Sequence, residues 1–319
     1  MSTSIQAAWW VGGLVLGVLL GAGVPGFGSA AEWAVTPCLI VLLFLTFLEL
    51  PFEAAARAFG NTRFLAIVVG LNFLIVPLVA AGLVTVVDLS QPLLLPVLVV
   101  LLSPCIDYVI VFTRAAGGAF EALLALTPVL MVAQLLFLPV GLWAVTGGEL
   151  SSELPVGPLL EALLLFIVIP LVAAISVRAV STRSVRCRRV VQASSSLMDP
   201  VMTLTLVVIA ASVTPVIGDS ITQLGTAALV FALFALVMSA VAWATSRAAK
   251  LEARLARAAV MSAVTRNSLV MLPIVRAASG DGIGPATMVT QTLVELLFLL
   301  LLVRVLPLLT PNTAASENR

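Results

Sequence analysis

Two long apolar segments of this chain are each broken in mid-run by a short polar stretch. The first break reads Ser103-Pro104-Cys105-Ile106-Asp107 and the second Thr265-Arg266-Asn267-Ser268. Cys105 and Asn267 lie 162 positions apart, and Arg114 and Arg276 repeat that offset. Gln134-Leu135-Leu136-Phe137-Leu138 is echoed by Glu295-Leu296-Leu297-Phe298-Leu299 at an offset of 161. Non-helical backbone at membrane depth is tolerated only where it is buried in protein or lines a cavity. Breaks at corresponding positions of two halves are the strongest sequence pointer to the binding site of a secondary transporter.

The composition demands a membrane. The chain is 61% hydrophobic and 10% charged, with a mean hydropathy of +1.22, whereas a soluble domain carries about 25% charged residues. A net charge of +1 leaves no footprint for nucleic acid. There is no histidine, so a proton relay must use carboxylates. Cys38, Cys105 and Cys187 form no CxxC pair and no disulfide framework. No motif calls for a cofactor or an enzyme. No Lys or Arg precedes the first apolar run, so that run reads as a retained helix, not a signal peptide.

A spanning helix needs about 20 mostly apolar residues. Ten segments qualify: 7–24, 33–50, 63–87, 91–116, 119–146, 155–178, 195–214, 220–246, 255–279 and 284–309. One set of loops carries Arg57, Arg63, Arg114, Arg178, Arg183, Arg186, Arg188, Arg189, Arg247, Lys250, Arg254 and Arg257. The opposite set carries Glu32, Asp88, Glu149, Glu153, Asp219 and Asp281, with Arg276 its one basic residue. The positive-inside rule then places both termini in the cytoplasm. The expected fold is an all-α membrane protein of ten transmembrane helices. An odd number of helices per half makes the two five-helix repeats, 1–150 and 151–310, inverted, with helices 4 and 9 broken and crossing. Residues 311–319 read as a disordered cytoplasmic tail.

The breaks concentrate the chemistry. Pro104 donates no backbone hydrogen bond and clashes with the preceding turn, which frees carbonyls near Val100 and Leu101. The half-helix starting near Ile106 offers N–H groups and a positive dipole end. Asp107, Arg266 and Glu295 are each costly in mid-membrane, by roughly 2.5–3.5 kcal/mol on insertion scales. Two roles stay open for them: a coupled set that holds a proton or cation, or a structural Asp107–Arg266 bridge that locks the broken helices. Gln134 is the polar counterpart of Glu295 in helix 5. Asn72 reads as a link between neighbouring helices, and Arg114 and Arg276 as interfacial anchors.

With these residues in place, the chain resembles the bile acid/sodium symporter superfamily. Pro104-Cys105 is similar to the Pro-Cys of its arsenical-resistance permease branch. The stretch from Ser103 to Gly118 and the run Val264-Thr265-Arg266-Asn267-Ser268 are similar to actinobacterial arsenic resistance proteins. The resemblance implies a panel made of helices 1, 2, 6 and 7 and a core bearing the crossover. It also implies a metalloid-handling role for Cys105, the metalloid being cargo and not a resident metal. Two positions depart from the pattern. Sodium-coupled members carry Glu and Gln where Ser262 and Arg266 stand here. Arsenite permeases carry a glutamate near the position of Leu269.

The first functional reading is therefore arsenite or antimonite efflux by proton antiport across the cell (cytoplasmic) membrane. Substrate would meet Cys105, Ser103, Pro104, Thr265, Asn267 and Ser268. Coupling would fall to Asp107, Glu295, Arg266 and Gln134. A thiolate is the protein's soft ligand, and one sulfur binds a metalloid reversibly. A membrane potential of about 100 mV supplies about 2.3 kcal/mol per charge, well over a tenfold gradient. The second reading imports an organic anion held by Arg266 and helix N-termini. The third is a transport-inactive sensor or scaffold.

Overall fold

The computed structural model describes residues 3–49, 61–105, 109–148, 157, 161, 163–217, 220–280 and 282–310. Among them there are helices and no strand. They run α1 (Thr3–Gly23), α2 (Phe27–Glu49), α3 (Thr62–Val86), α4 (Gln91–Leu101), α5 (Val109–Ala115) and α6 (Phe120–Thr146). There follow α7 (Ile169–Val180), α8 (Val185–Ile217), α9 (Ile221–Ala248), α10 (Ala253–Val264), α11 (Ser268–Ser279) and α12 (Ile283–Leu309). π-helical turns lie within α3 at Leu71–Ile75 and ahead of α7 at Leu163–Val168.

Among the described residues, five helices are long and apolar enough to cross a membrane: Phe27–Glu49, Thr62–Val86, Val185–Ser212, Ile221–Ala248 and Ile283–Leu309. Shorter apolar helices occupy Ala8–Gly23, Gln91–Leu101, Leu136–Thr146, Ile169–Val180 and Ser268–Ser279. The chain is a multi-pass membrane protein. Its outward faces are apolar, as at Leu74 and Leu78 on α3 and Leu136 and Val140 on α6.

The chain forms two interleaved compact units. The first contains 1–50, 153–225 and 269–293, so α1, α2, α7 and α8 share it with most of α11 and the start of α12. In this unit α8 packs along both α1 and α2. Gly13, Gly17 and Gly21 recur every fourth residue, one per turn, on the face of α1 that meets α8. A Cβ on Gly17 would lie 2.4 Å from the Val207 carbonyl oxygen, and one on Gly21 would lie 2.6 Å from that of Ala211. Small residues permit this backbone approach in a medium where apolar attraction between helices is weak. Arg178, in the last turn of α7, donates from Nη1 to Leu48 O at 3.1 Å and satisfies a carbonyl at the C-terminal end of α2.

The second unit contains 51–152, 226–268 and 294–319. Arg257 on α10 is buried and gathers two helix ends. Its Nε donates to Thr310 Oγ1 at 2.8 Å and its Nη2 to Thr310 O at 2.6 Å, just past α12. Its Nη1 donates to Ala116 O and Gly117 O, just past α5. Gly117 has φ +66°, and a Cβ there would sit 2.8 Å from Arg257 Nη1.

Two expectations change. Arg257 counts among the loop charges in the sequence but is interior here. Arg186, Arg188 and Arg189, read as loop, lie in the first turns of α8. Arginine is a good helix former, and their charge marks the surface without breaking the helix. Asp107, Glu149, Glu153 and the tail 311–319 lie outside the described residues.

Candidate functional site at a backbone crossing

In the second unit α4 ends at Leu101 and α10 at Val264, and the extended segments after them pair antiparallel. Pro104 is bridged to Arg266. Cys105 N donates to Thr265 O at 3.1 Å, and Asn267 N donates to Ser103 O at 2.8 Å. Each bond becomes the other when every residue is exchanged for its counterpart 162 positions away.

The pairing explains why a proline is tolerated. In an antiparallel ladder, opposed residues alternate between bonded and unbonded pairs. Pro104 and Arg266 form the unbonded pair, so no N–H is required of either. Pro104 has none. Arg266 has one, and it donates to Glu295 Oε2 at 2.7 Å. Gln134 is the counterpart of Glu295 in the sequence repeat. Its Oε1 accepts instead from Asn267 Nδ2 at 3.4 Å. Its Nε2 is buried without a hydrogen-bond partner.

The Arg266 side chain is 1% exposed and turns into the carbonyls released by the two broken helices. Nη1 donates to Leu101 O at 3.1 Å. Nη2 donates to Ser262 O at 2.8 Å and Ala263 O at 2.9 Å. It also donates to Asn72 Oδ1 at 2.7 Å. The Cζ stands 5.4 Å from the Phe234 ring centroid. Leu101 and Ala263 are 162 apart, as are Asn72 and Phe234. The guanidinium therefore caps the negative ends of both helices at once. Asn72 sits in the π-helical turn of α3, where the altered backbone register carries its side chain inward. It donates to Val68 O at 2.9 Å and to Ser262 Oγ at 3.2 Å, so it joins α3 to α10 and orients the arginine.

Cys105, Ser103, Thr265, Asn267, Ser268, Gln134 and Glu295 are all buried. Cys105 forms no disulfide. Ser103 Oγ and Thr265 Oγ1 each donate at 2.8 Å to the carbonyl four residues earlier, Val99 O and Met261 O. Their hydroxyl hydrogens are thus committed and their oxygens remain acceptors. The structure brings together the sequence-derived residues 103–105, 265–267, 134 and 295; Asp107 is outside the described residues. It adds Ser262 and Phe234 around the arginine. The 162-residue offset points to Phe234 once Asn72 is included.

A sequence-family model described as the Sodium Bile acid symporter family matches residues 36–224, more than half of the chain. The chain belongs to this family. Family members are membrane transporters and not enzymes, and they act on small molecules in a lipid bilayer. The matched range contains the first crossing segment, 103–105, and stops short of the second. No curated protein matches the chain.

Three main-chain carbonyls and an amide oxygen thus accept from the guanidinium, Leu101 O from Nη1 and the other three from Nη2.

Proposed function

We propose that the protein exports a trivalent metalloid oxyacid, arsenite or antimonite, by proton antiport across the cytoplasmic membrane. In this reading ten helices form two inverted five-helix repeats, with both termini cytoplasmic. The observation that carries it is the position of Cys105, a buried thiol on the crossing segment between two broken helices. Arsenite at neutral pH is a small neutral trihydroxide with a soft centre. The Cys105 sulfur supplies the soft ligand. The oxygens of Ser103 and Thr265 accept from substrate hydroxyls, and the partnerless Gln134 Nε2 donates to a substrate oxygen.

The coupling proton rides on Glu295 or Asp107. Glu295 is a buried carboxylate that accepts from the Arg266 backbone N–H. Substrate and proton would then occupy the same crossing from different sides. Arg266 serves as a fixed cation in place of a mobile one. A sodium ion about 4 Å from a guanidinium meets repulsion of about 4 kcal/mol at an effective dielectric of 20.

The family is equally compatible with organic-anion transport. The Arg266 partners favour the metalloid at this site, because both guanidinium Nη atoms donate to protein oxygens and a carboxylate would have to displace them. The deciding experiment is flux in everted vesicles, with and without an imposed pH gradient. Arsenite accumulation that collapses with the gradient supports the reading. Accumulation of a carboxylate with no arsenite flux replaces it with the organic-anion reading, and neither flux favours a sensor or scaffold.

A further inference from the structure

Within the first unit, α8 has 33 residues, about 50 Å of helix, against roughly 30 Å for the hydrocarbon core of a bilayer. The excess, with its arginines, belongs in the headgroup layer. Arg183, Arg186, Arg188 and Arg189 gather there, and all four are exposed. No acidic residue stands in the first turn of α8. Among the described residues, Arg183, Arg186 and Arg189 have no salt-bridge partner. Positive charge at a helix N-terminus is opposed by the helix dipole, so these guanidiniums call for a counter-charge from outside.

An apolar stripe starts directly below them. At 3.6 residues per turn, Arg186, Arg189, Val190, Leu197 and Leu204 fall within about 100° of the helix circumference. Val190, Leu197 and Leu204 are 40%, 45% and 53% exposed. Further along, the same face closes. Val208 and Ala211 are buried, and α1 crosses there, a Cβ on its Gly21 lying 2.6 Å from Ala211 O. The open stripe from Val190 to Leu204 is about 21 Å long, half the roughly 40–45 Å of a bilayer with its headgroups.

Head and stripe together select the ligand. A free anion would leave the stripe unused, and a neutral lipid would leave the arginines without a counter-charge. A phospholipid with net negative charge satisfies both, since its phosphate suits the planar guanidinium fork. We propose that Arg186, Arg189 and the Val190–Leu204 stripe of α8 bind one anionic phospholipid, with its phosphate on the two arginines and an acyl chain along the stripe.

The test titrates the purified full-length protein, in a neutral detergent, with dioleoylphosphatidylglycerol or dioleoylphosphatidylcholine and reads bound lipid by native mass spectrometry. Wild type should take up the first phosphatidylglycerol at least about fivefold more tightly than phosphatidylcholine, the scale of one basic residue at a charged membrane surface. Arg186→Gln and Arg189→Gln should each cut that preference at least about twofold. Arg188 lies on the other side of the helix from Arg186 and donates back to Ser181 O and Thr182 O. Arg188→Gln removes the same charge and should leave the preference unchanged. Millimolar inorganic phosphate should not displace the lipid. Equal affinity for the two lipids, an equal loss in all three variants, or displacement by inorganic phosphate overturns the proposal. The assay reads lipid binding and not flux, so its outcome is independent of the metalloid reading.

Discussion

Pro104 and Arg266 oppose each other at the unbonded position of an antiparallel pair, so the residue lacking an N–H stands where none is used and the arginine's N–H passes to Glu295. The asymmetry between two corresponding positions gives the crossing a carboxylate with a fixed donor on one side and an amide with a spare donor on the other.

Arg266 holds the crossing together. Arg266→Leu would leave Leu101 O, Ser262 O, Ala263 O and Asn72 Oδ1 without the donors they have now. A buried unsatisfied polar group costs about 1–3 kcal/mol, so the loss should total at least about 3 kcal/mol. Arg266→Lys should recover only part of it, because an ammonium lacks the planar fork that reaches both helix ends. Thermal melts in detergent should rank wild type above Lys and Lys above Leu. Equal melting of all three would remove the arginine from this role.

Transport should not need sodium. Substrate flux in proteoliposomes should persist when sodium is replaced by potassium or choline. Flux that vanishes on replacement would mean that a cation site survives beside the guanidinium.

Glu295 should set the pH response. Glu295→Gln keeps an acceptor for the Arg266 N–H but cannot release a proton between the two faces. Downhill arsenite flux should remain measurable in this variant, and an imposed pH gradient should no longer drive it uphill. Uphill flux that still follows the gradient would assign the proton to another group, with Asp107 the next candidate.

Close packing of α1 on α8 should fail at Gly17 and not at Gly12. A Cβ at Gly17 would lie 2.4 Å from backbone oxygen, whereas a Cβ at Gly12 would have nothing within 4 Å. Gly17→Ala should lower the melting temperature by several degrees. Gly12→Ala should be neutral or slightly stabilising, since Ala exceeds Gly in helix propensity by about 1 kcal/mol. Similar melting of the two variants would contradict the packing.

The membrane-spanning character and the two helix breaks were legible in the sequence, because polar residues at Ser103 and Arg266 interrupt runs that are otherwise apolar. The pairing of the breaks was legible from their common offset. The partners of Arg266 were not. A sequence shows that a cation is present in an apolar run but not that helix-end carbonyls converge on it, and a π-helical turn such as Leu71–Ile75 leaves no compositional mark. Arg276 reads as an interfacial anchor because its partner, Glu32, is 244 residues away. Arg257 reads as a loop charge for the same reason, its acceptors lying on segments distant in the chain.

The central claim is that the Cys105 thiol touches the transported metalloid. The most direct measurement is arsenite uptake into everted vesicles carrying Cys105→Ser, beside Cys38→Ser and Cys187→Ser at matched expression. Loss of flux in Cys105→Ser alone is the predicted result. Wild-type flux in Cys105→Ser would contradict the account.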